Sequence, residues 1–362
     1  VLTSKFGNYF LTMNRANLLL NRILNKHTMY FFMPFILLIL LAISPKLYAD
    51  NVNSIPPISG HAITLETINP ADVLSRVNLA TKQLEQIRTA LNLPLANQLN
   101  IEVSEAQPRE VYFQALAFYG RVNRFTFERL SVFNEEPNIT FATGKALKPY
   151  HVWQITDRAS IQLSAISNNL SIADTLKEQE VAKTTSPSDV FMALLQINRQ
   201  LDVMLEQPYS PNDVYQQVTL GVHYMAKILS SYSVISRIPE APEFNINKKP
   251  SDVWLLLADS FNLLRDVAQN YGEKTLLIKA DNNVFDTIRP GDVYQYAALL
   301  VSELAYLHTL RDKIDEVVPT VEVTDKLPAD VYQRVGVLHK QLLQLKSIST
   351  THKNNGSPRH EK

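Results

Sequence analysis

The chain has no cysteine. No disulfide, thiolate metal site or thiol nucleophile can be built from it, so its core must be stable on packing alone. Glycine is scarce, 9 in 362 residues, as suits a helix-dominated chain. No glycine-rich loop precedes a helix, and GxSxG, SxxK and HExxH are all missing. The linear sequence therefore nominates no serine nucleophile, phosphate cradle or zinc site. The histidines after residue 49 (His61, His151, His223, His308, His339, His352 and His360) include no pair spaced i, i+4, so none share a helical face as metal ligands do. Neither a cofactor nor a metal is expected, and the chain reads as non-enzymatic.

Acidic residues are missing from positions 1–49, which carry five basic ones: Lys5, Arg15, Arg22, Lys26 and Lys46. The apolar run Tyr30–Ile43 follows, and the small residue Ala49 closes the stretch. A basic start, a short apolar centre and a small terminal residue predict a secretory signal peptide over 1–49, with an uncleaved N-terminal anchor as the alternative. A spanning helix would want about 20 apolar residues, without Pro34, Pro45 and Lys46. Export to the periplasm or cell surface is expected, or retention at the inner membrane if the segment is kept. The whole chain has 35 basic and 35 acidic residues; without the first 49 the balance is 30 against 35, a net −5. Basic runs are also missing from the body, which argues against nucleic acid as a partner, and membrane contact is expected only through an uncleaved N-terminus.

What the chain does have is an internal repeat. Eight times a proline is followed three residues later by valine, usually with an acid before the valine and an aromatic after it. The prolines are Pro70, Pro108, Pro149, Pro187, Pro211, Pro250, Pro290 and Pro328. Proline suits the first turn of a helix, where its missing N–H has no partner to lose. Asp72, Glu110, Asp189, Asp213, Asp252, Asp292 and Asp330 stand at the third helical position, and His151 takes that place in the remaining copy. A carboxylate there faces the positive end of the helix dipole and can accept from free backbone N–H groups. These sixteen positions are expected to start helices.

Counted from each proline, offsets +3, +7, +10, +14 and +17 have the 3.5-residue spacing of a helix–helix seam. Over eight copies 37 of the 40 positions are apolar, the exceptions being Thr156, Gly221 and Ser260, where composition alone would give about 18. Eight amphipathic helices of roughly 20 residues follow, each about 30 Å long. The prolines lie 38, 41, 38, 24, 39, 40 and 38 residues apart. The short central step predicts two tandem four-helix halves, residues 60–207 and 208–347, with one continuous α-solenoid as the alternative. Connectors such as Asn92–Gln107 and Ser230–Lys249 carry prolines and short alternations (Ile101/Val103, Ile139/Phe141, Val321/Val323) and read as extended. Sixteen extended residues reach about 50 Å, enough to return along a helix and start the next one parallel to it; an up-down bundle is equally admissible. Glu206–Ser210 is too short for such a return, so the fourth and fifth helices should be antiparallel. The polar tail, 348–362, is expected to be disordered.

The fold class is therefore all-α, from a repeat of about 39 residues combining one helix and one extended connector. Candidate binding residues are the aromatics at offset +4: Tyr112, Trp153, Phe191, Tyr215, Trp254, Tyr294 and Tyr332. They either flank the seam and pin connectors or form a ledge that stacks on a partner. The expected function is an exported binding or scaffold protein engaging a protein, peptide or glycan. The alternatives are a membrane-tethered extracytoplasmic sensor, and a periplasmic hydrolase whose site assembles across repeats.

Overall fold

The computed structural model describes residues 67–132, 134, 147–173, 175–232, 237–280, 287–310 and 317–354. The N-terminal segment read as a signal peptide, the Ile139/Phe141 alternation and the tail beyond 354 lie outside them. The chain divides into two compact units, Val1–Thr67 and Ile68–Lys362, and every described helix and strand belongs to the second. None of the described helices is long and apolar enough to cross a membrane.

The fold is all-α, with eight helices among the described residues: α1 (Pro70–Ala90), α2 (Pro108–Leu130), α3 (Pro149–Asn169), α4 (Pro187–Met204), α5 (Pro211–Ser230), α6 (Pro250–Asn270), α7 (Pro290–Thr309) and α8 (Pro328–Asn354). Each begins at a motif proline. In all eight the side chain at the third position turns back and accepts a hydrogen bond from the backbone N–H of the residue before the proline. The donors are Asn69, Gln107, Lys148, Ser186, Ser210, Lys249, Arg289 and Leu327, at 2.6 to 2.9 Å. This is the reciprocal arm of a capping box. It explains why the residue before proline is free to be Lys, Arg or Leu: the motif uses its backbone, not its side chain. His151 serves through Nδ1, which must be unprotonated to accept from Lys148; burial lowers its pKa, and the Lys148 ammonium adds to the effect.

The seam is buried throughout. At all five offsets of all eight helices the residue is buried, and outside Gly221 none is more than 4% exposed. The three exceptions to apolarity have local solutions. Thr156 donates to the carbonyl of Val152 and Ser260 to that of Leu256, one turn back. Gly221 lets α7 and α8 approach, since a β-carbon there would lie 3.1 Å from both Val301 and Leu338.

In the packing, α3 lies against α1 and α2, and α4 also lies against α1 and α2; α7 lies against α5 and α6, and α8 also against α5 and α6. Side-chain contacts fix the directions. Gln83 at offset +13 donates to Ser164 at +15, Gln114 at +6 meets Asn198 at +11, and Asn270 at +20 donates to Ser349 at +21. Matching offsets mean parallel helices. By contrast, Arg199 at +12 pairs with Asp292 at +2, so α4 and α7 run in opposite directions. Helix α5, parallel to α7 through Gly221 and Val301, therefore also opposes α4.

Parallel neighbours require the chain to return along the helices, and the connectors do so pinned by side chains. Gln200 and Gln196 of α4 hold Pro94, Ala96 and Leu99 through four hydrogen bonds. On α8, Gln341, Lys340 and Gln333 donate to the carbonyls of Arg237, Glu240 and Pro242. Ser75 of α1 donates to Gln179, and Asn212 of α5 accepts from Lys326. The expected strand at Ile101/Val103 is β1 (Ile101–Ser104), which pairs antiparallel with β2 (Leu277–Ala280), Ile101 opposite Ala280. Val321 and Val323 lie in a stretch without strand pairing. Helix α8 continues past 348 to Asn354, where Ser349 is buried and bonded to Asn270.

Candidate functional site

The seven aromatics at offset +4 are all buried or half-buried. Tyr112, Phe191 and Trp254 are buried. The half-buried four each meet a cation or another ring: Arg76 lies 5.0 Å from the Trp153 ring, Lys326 4.9 Å from Tyr215 and Lys248 4.1 Å from Tyr332. Tyr294 stacks on Tyr209 with centroids 4.0 Å apart. Lys326 and Lys248 sit on connectors, so these rings help to pin the returning chain. Phe191 and Trp254 come together at one cavity.

The acids at the third position divide into two groups. Most sit at the surface or half-buried, but Glu110 and Asp292 are buried where α2 and α4 meet α7. There the structure assembles a polar layer that spacing alone does not announce. Arg121 of α2 makes a two-pronged contact with Asp202 of α4, at 2.6 and 3.3 Å. Arg199 of α4 pairs with Asp292 of α7 at 3.2 Å and donates to the carbonyl of Thr287 at 2.6 Å. Arg109 of α2 grips Glu303 of α7, with Nε and Nη2 each 3.0 Å from a carboxylate oxygen, and also donates to Lys274. Glu110 accepts from the N–H of Gln107 at 2.6 Å and from that of Leu276, across the interface, at 2.7 Å. Between these charges Gln114 accepts from both Asn198 and Gln295. Asn198 is fully buried, and its Oδ1 finds no donor among the described residues.

Burial dominates the electrostatics. It raises the Glu110 carboxyl to about 8, with the nearby Glu303 charge adding to the effect, and pushes Glu303 upward too. Asp292 is raised to about 6, again by burial, against the pull of Arg199. Asp202 is raised in spite of Arg121, whose own guanidinium is held more firmly protonated by that carboxylate than burial opposes. Removing one partner from such a pair strands a charge, whereas the intact pair adds little net stability.

Beneath the β1–β2 ribbon, Leu99, Phe191, Trp254, Asp292, Gln295 and Tyr296 are among the residues lining a cavity of ≈ 20 Å³. That is room for about one water, far below the volume of a small-molecule site. Asp292 and Tyr296, whose hydroxyl is also raised by burial, are its titratable groups. Among the described residues no group of three His, Asp or Glu side chains is placed to hold a metal. No family model, no curated protein and no solved structure matches this chain.

Sequence reasoning missed Arg121, Arg199, Asp202 and Glu303. They lie on helix flanks, where charge ordinarily means solvent, and they are buried where α2 and α4 meet each other and α7. A signal was present in part: Arg199 and Asp202 fall on the same helix close to the seam residue Leu201.

Proposed function

We propose that the chain is an exported, non-enzymatic scaffold made from a duplicated four-helix unit, residues 60–207 and 208–347, which engages a protein or peptide partner through its outer surface. Two features support the duplication. The packing α1–α3–α2–α4–α1 recurs term by term as α5–α7–α6–α8–α5. The connectors recur with it: those after α1 and α5 return along α4 and α8, and those after α3 and α7 return along α1 and α5. Export rests on the N-terminal pattern of the sequence.

The observation that carries the binding reading is where apolar side chains remain in water. While the seams are closed, the connectors after α5 and α7 expose Ile238, Phe244, Ile246, Val318 and Val321, the last at 78%. Extended, apolar backbone on a rigid helical support suits a polypeptide, and four of the five exposed side chains are aliphatic, Phe244 being the one ring among them, where a glycan would call for several rings to stack on. A photocrosslinking residue placed at Ile246 or Val321 in cells should give one discrete adduct, with none from exposed Thr81 on α1. Phe244→Asp should abolish it. Failure to label at either connector, together with a turnover that Asp292→Asn abolishes without unfolding, would replace this reading by the hydrolase alternative.

A further inference from the structure

Besides the β1–β2 pairing and an ion pair from Arg265 of α6 to Glu105, the helix-on-helix contact between the two four-helix units is one-sided. Helices α2 and α4 of the first unit receive α7 of the second. The counterpart of α7 in the first unit is α3, and the counterparts of α2 and α4 in the second are α6 and α8. The principal packing of α3 is on α1 and α2, and that of α6 and α8 is on each other and on α5 and α7. Each unit therefore keeps one face of the kind that the other unit has used.

Those unused faces hold the chain's unusual side chains. Within the helices, among the described residues, three large apolar side chains are exposed: Ile161 on α3 at 46%, Leu255 on α6 at 40% and Leu343 on α8 at 46%. Their places are informative. Gln154, Arg158, Ile161 and Ala165 form an exposed strip on α3 at offsets +5, +9, +12 and +16. The same offsets on α7 are Gln295, Leu299, Ser302 and Tyr306, the strip that faces α2: Gln295 donates to Gln114, and the Tyr306 ring lies 4.5 Å from the Arg109 guanidinium. Leu343 occupies on α8 the place that Asp202 occupies on α4, where the carboxylate lies against Gly291 of α7. Leu255 corresponds in offset to Phe113 on α2.

We infer that a second copy of the chain docks its α3 strip on the α6/α8 face of the first, repeating between molecules the seat that α7 takes on α2 and α4 within one. The inference rests on the duplicated unit proposed above. Two of the substitutions suit the change of role, Leu343 standing where the internal contact has Asp202 and Ile161 where it has Ser302; Arg158, in place of Leu299, runs the other way and keeps one charge on the strip. An interface formed from two solvated molecules gains from burying apolar surface and avoids the cost of desolvating ion pairs. The match has two local departures, and one is that Lys340, in the place of Arg199, donates to the connector carbonyl of Glu240. The other is that Pro242 of the connector lies 2.5 Å from where a Gly336 β-carbon would be, so the connector forms part of the face. Because the two docking surfaces differ, each added copy presents a fresh one, so association is head-to-tail and continues past a dimer, into a ring or a filament, rather than stopping at a two-fold pair.

Sedimentation velocity on the purified exported protein over a wide concentration range tests this. The weight-average mass should climb past twice that of the monomer. Ile161→Asp and Leu343→Asp should each be monomeric at every concentration, with unchanged thermal unfolding because both positions are exposed. Mixed together they should form a dimer and stop there, since each variant retains one sound surface. A monomeric wild type, variants that associate like the wild type, or a mixture that stays monomeric would overturn the inference. If it falls, the duplicated unit is judged separately by intramolecular cross-linking of Glu128→Cys with Glu206→Cys and of Asn270→Cys with Ser349→Cys, which needs no association.

Discussion

Glu110 and Asp330 occupy the same place in the repeat and make the same backbone contact, yet replacing them should have different costs. Asp330→Ala removes one exposed acceptor at a helix start, worth under about 1 kcal/mol. Glu110→Ala removes two acceptor contacts, to Gln107 and to Leu276, and Leu276 is fully buried. A buried N–H left without a partner costs ~1–3 kcal/mol, and the lost cap adds about 1, so ~2–4 kcal/mol is expected in all. At pH 6 the Glu110 carboxyl is below its folded value of about 8, so relief of a buried charge does not offset the loss. Glu110→Gln keeps one acceptor oxygen and should fall between. Urea unfolding followed by tryptophan fluorescence is a suitable assay, because Trp254 is buried at the cavity beside this interface. Equal costs for Glu110→Ala and Asp330→Ala would refute the idea that one motif position carries both a cap and an interface contact.

The same groups set a pH dependence. Glu110, at about 8, and Asp292, at about 6, have folded values above the usual carboxylate range, so their contribution is complete below about pH 4 and is lost as pH rises through 6 and then 8. The urea midpoint should fall between pH 5 and pH 9, and a Glu110→Gln/Asp292→Asn variant should show a flatter profile. Gly336→Ala should cost ~1–3 kcal/mol by pressing on Pro242, opposite in sign to the usual helical gain of up to about 1, and thermal unfolding will read it directly. Leu201→Ala and Leu342→Ala, both fully buried in the seam, should each cost ~2–5 kcal/mol by the same assay.

The helices and their buried faces were legible because a 3.5-residue apolar period and a Pro-x-acid start depend only on local helix geometry. Even the polar exceptions obeyed it, with Thr156 and Ser260 bonding inside their own helices. The order of packing was not legible. That α3 rather than α2 lies beside α1, and α7 rather than α6 beside α5, goes with connectors held by Gln196 and Gln200 on α4 and by Gln333 and Gln341 on α8, which look in sequence like ordinary solvated flanks. The polar layer was hidden for the same reason: Arg199 is buried by α7, whose approach no local pattern encodes. Strand β2 was missed because its four residues, Leu277–Ala280, carry no distinct alternation and gain their pairing from β1, far back in the chain. The motif also concealed a difference between its copies, since Glu110 and Asp292 start helices like the others and are buried for a second purpose.

The central claim is that one parallel four-helix arrangement occurs twice. The cysteine-free chain allows a direct measurement with pairs of introduced cysteines and a short bismaleimide. Glu128→Cys with Glu206→Cys, at the C-terminal ends of α2 and α4, and Asn270→Cys with Ser349→Cys, at those of α6 and α8, should both cross-link within one molecule. The pairs joining opposite ends, Glu128→Cys with Asp189→Cys and Asn270→Cys with Asp330→Cys, should not. Cross-linking of the opposite-end pairs would mean up-down bundles, and a result that differed between the two units would contradict the duplication.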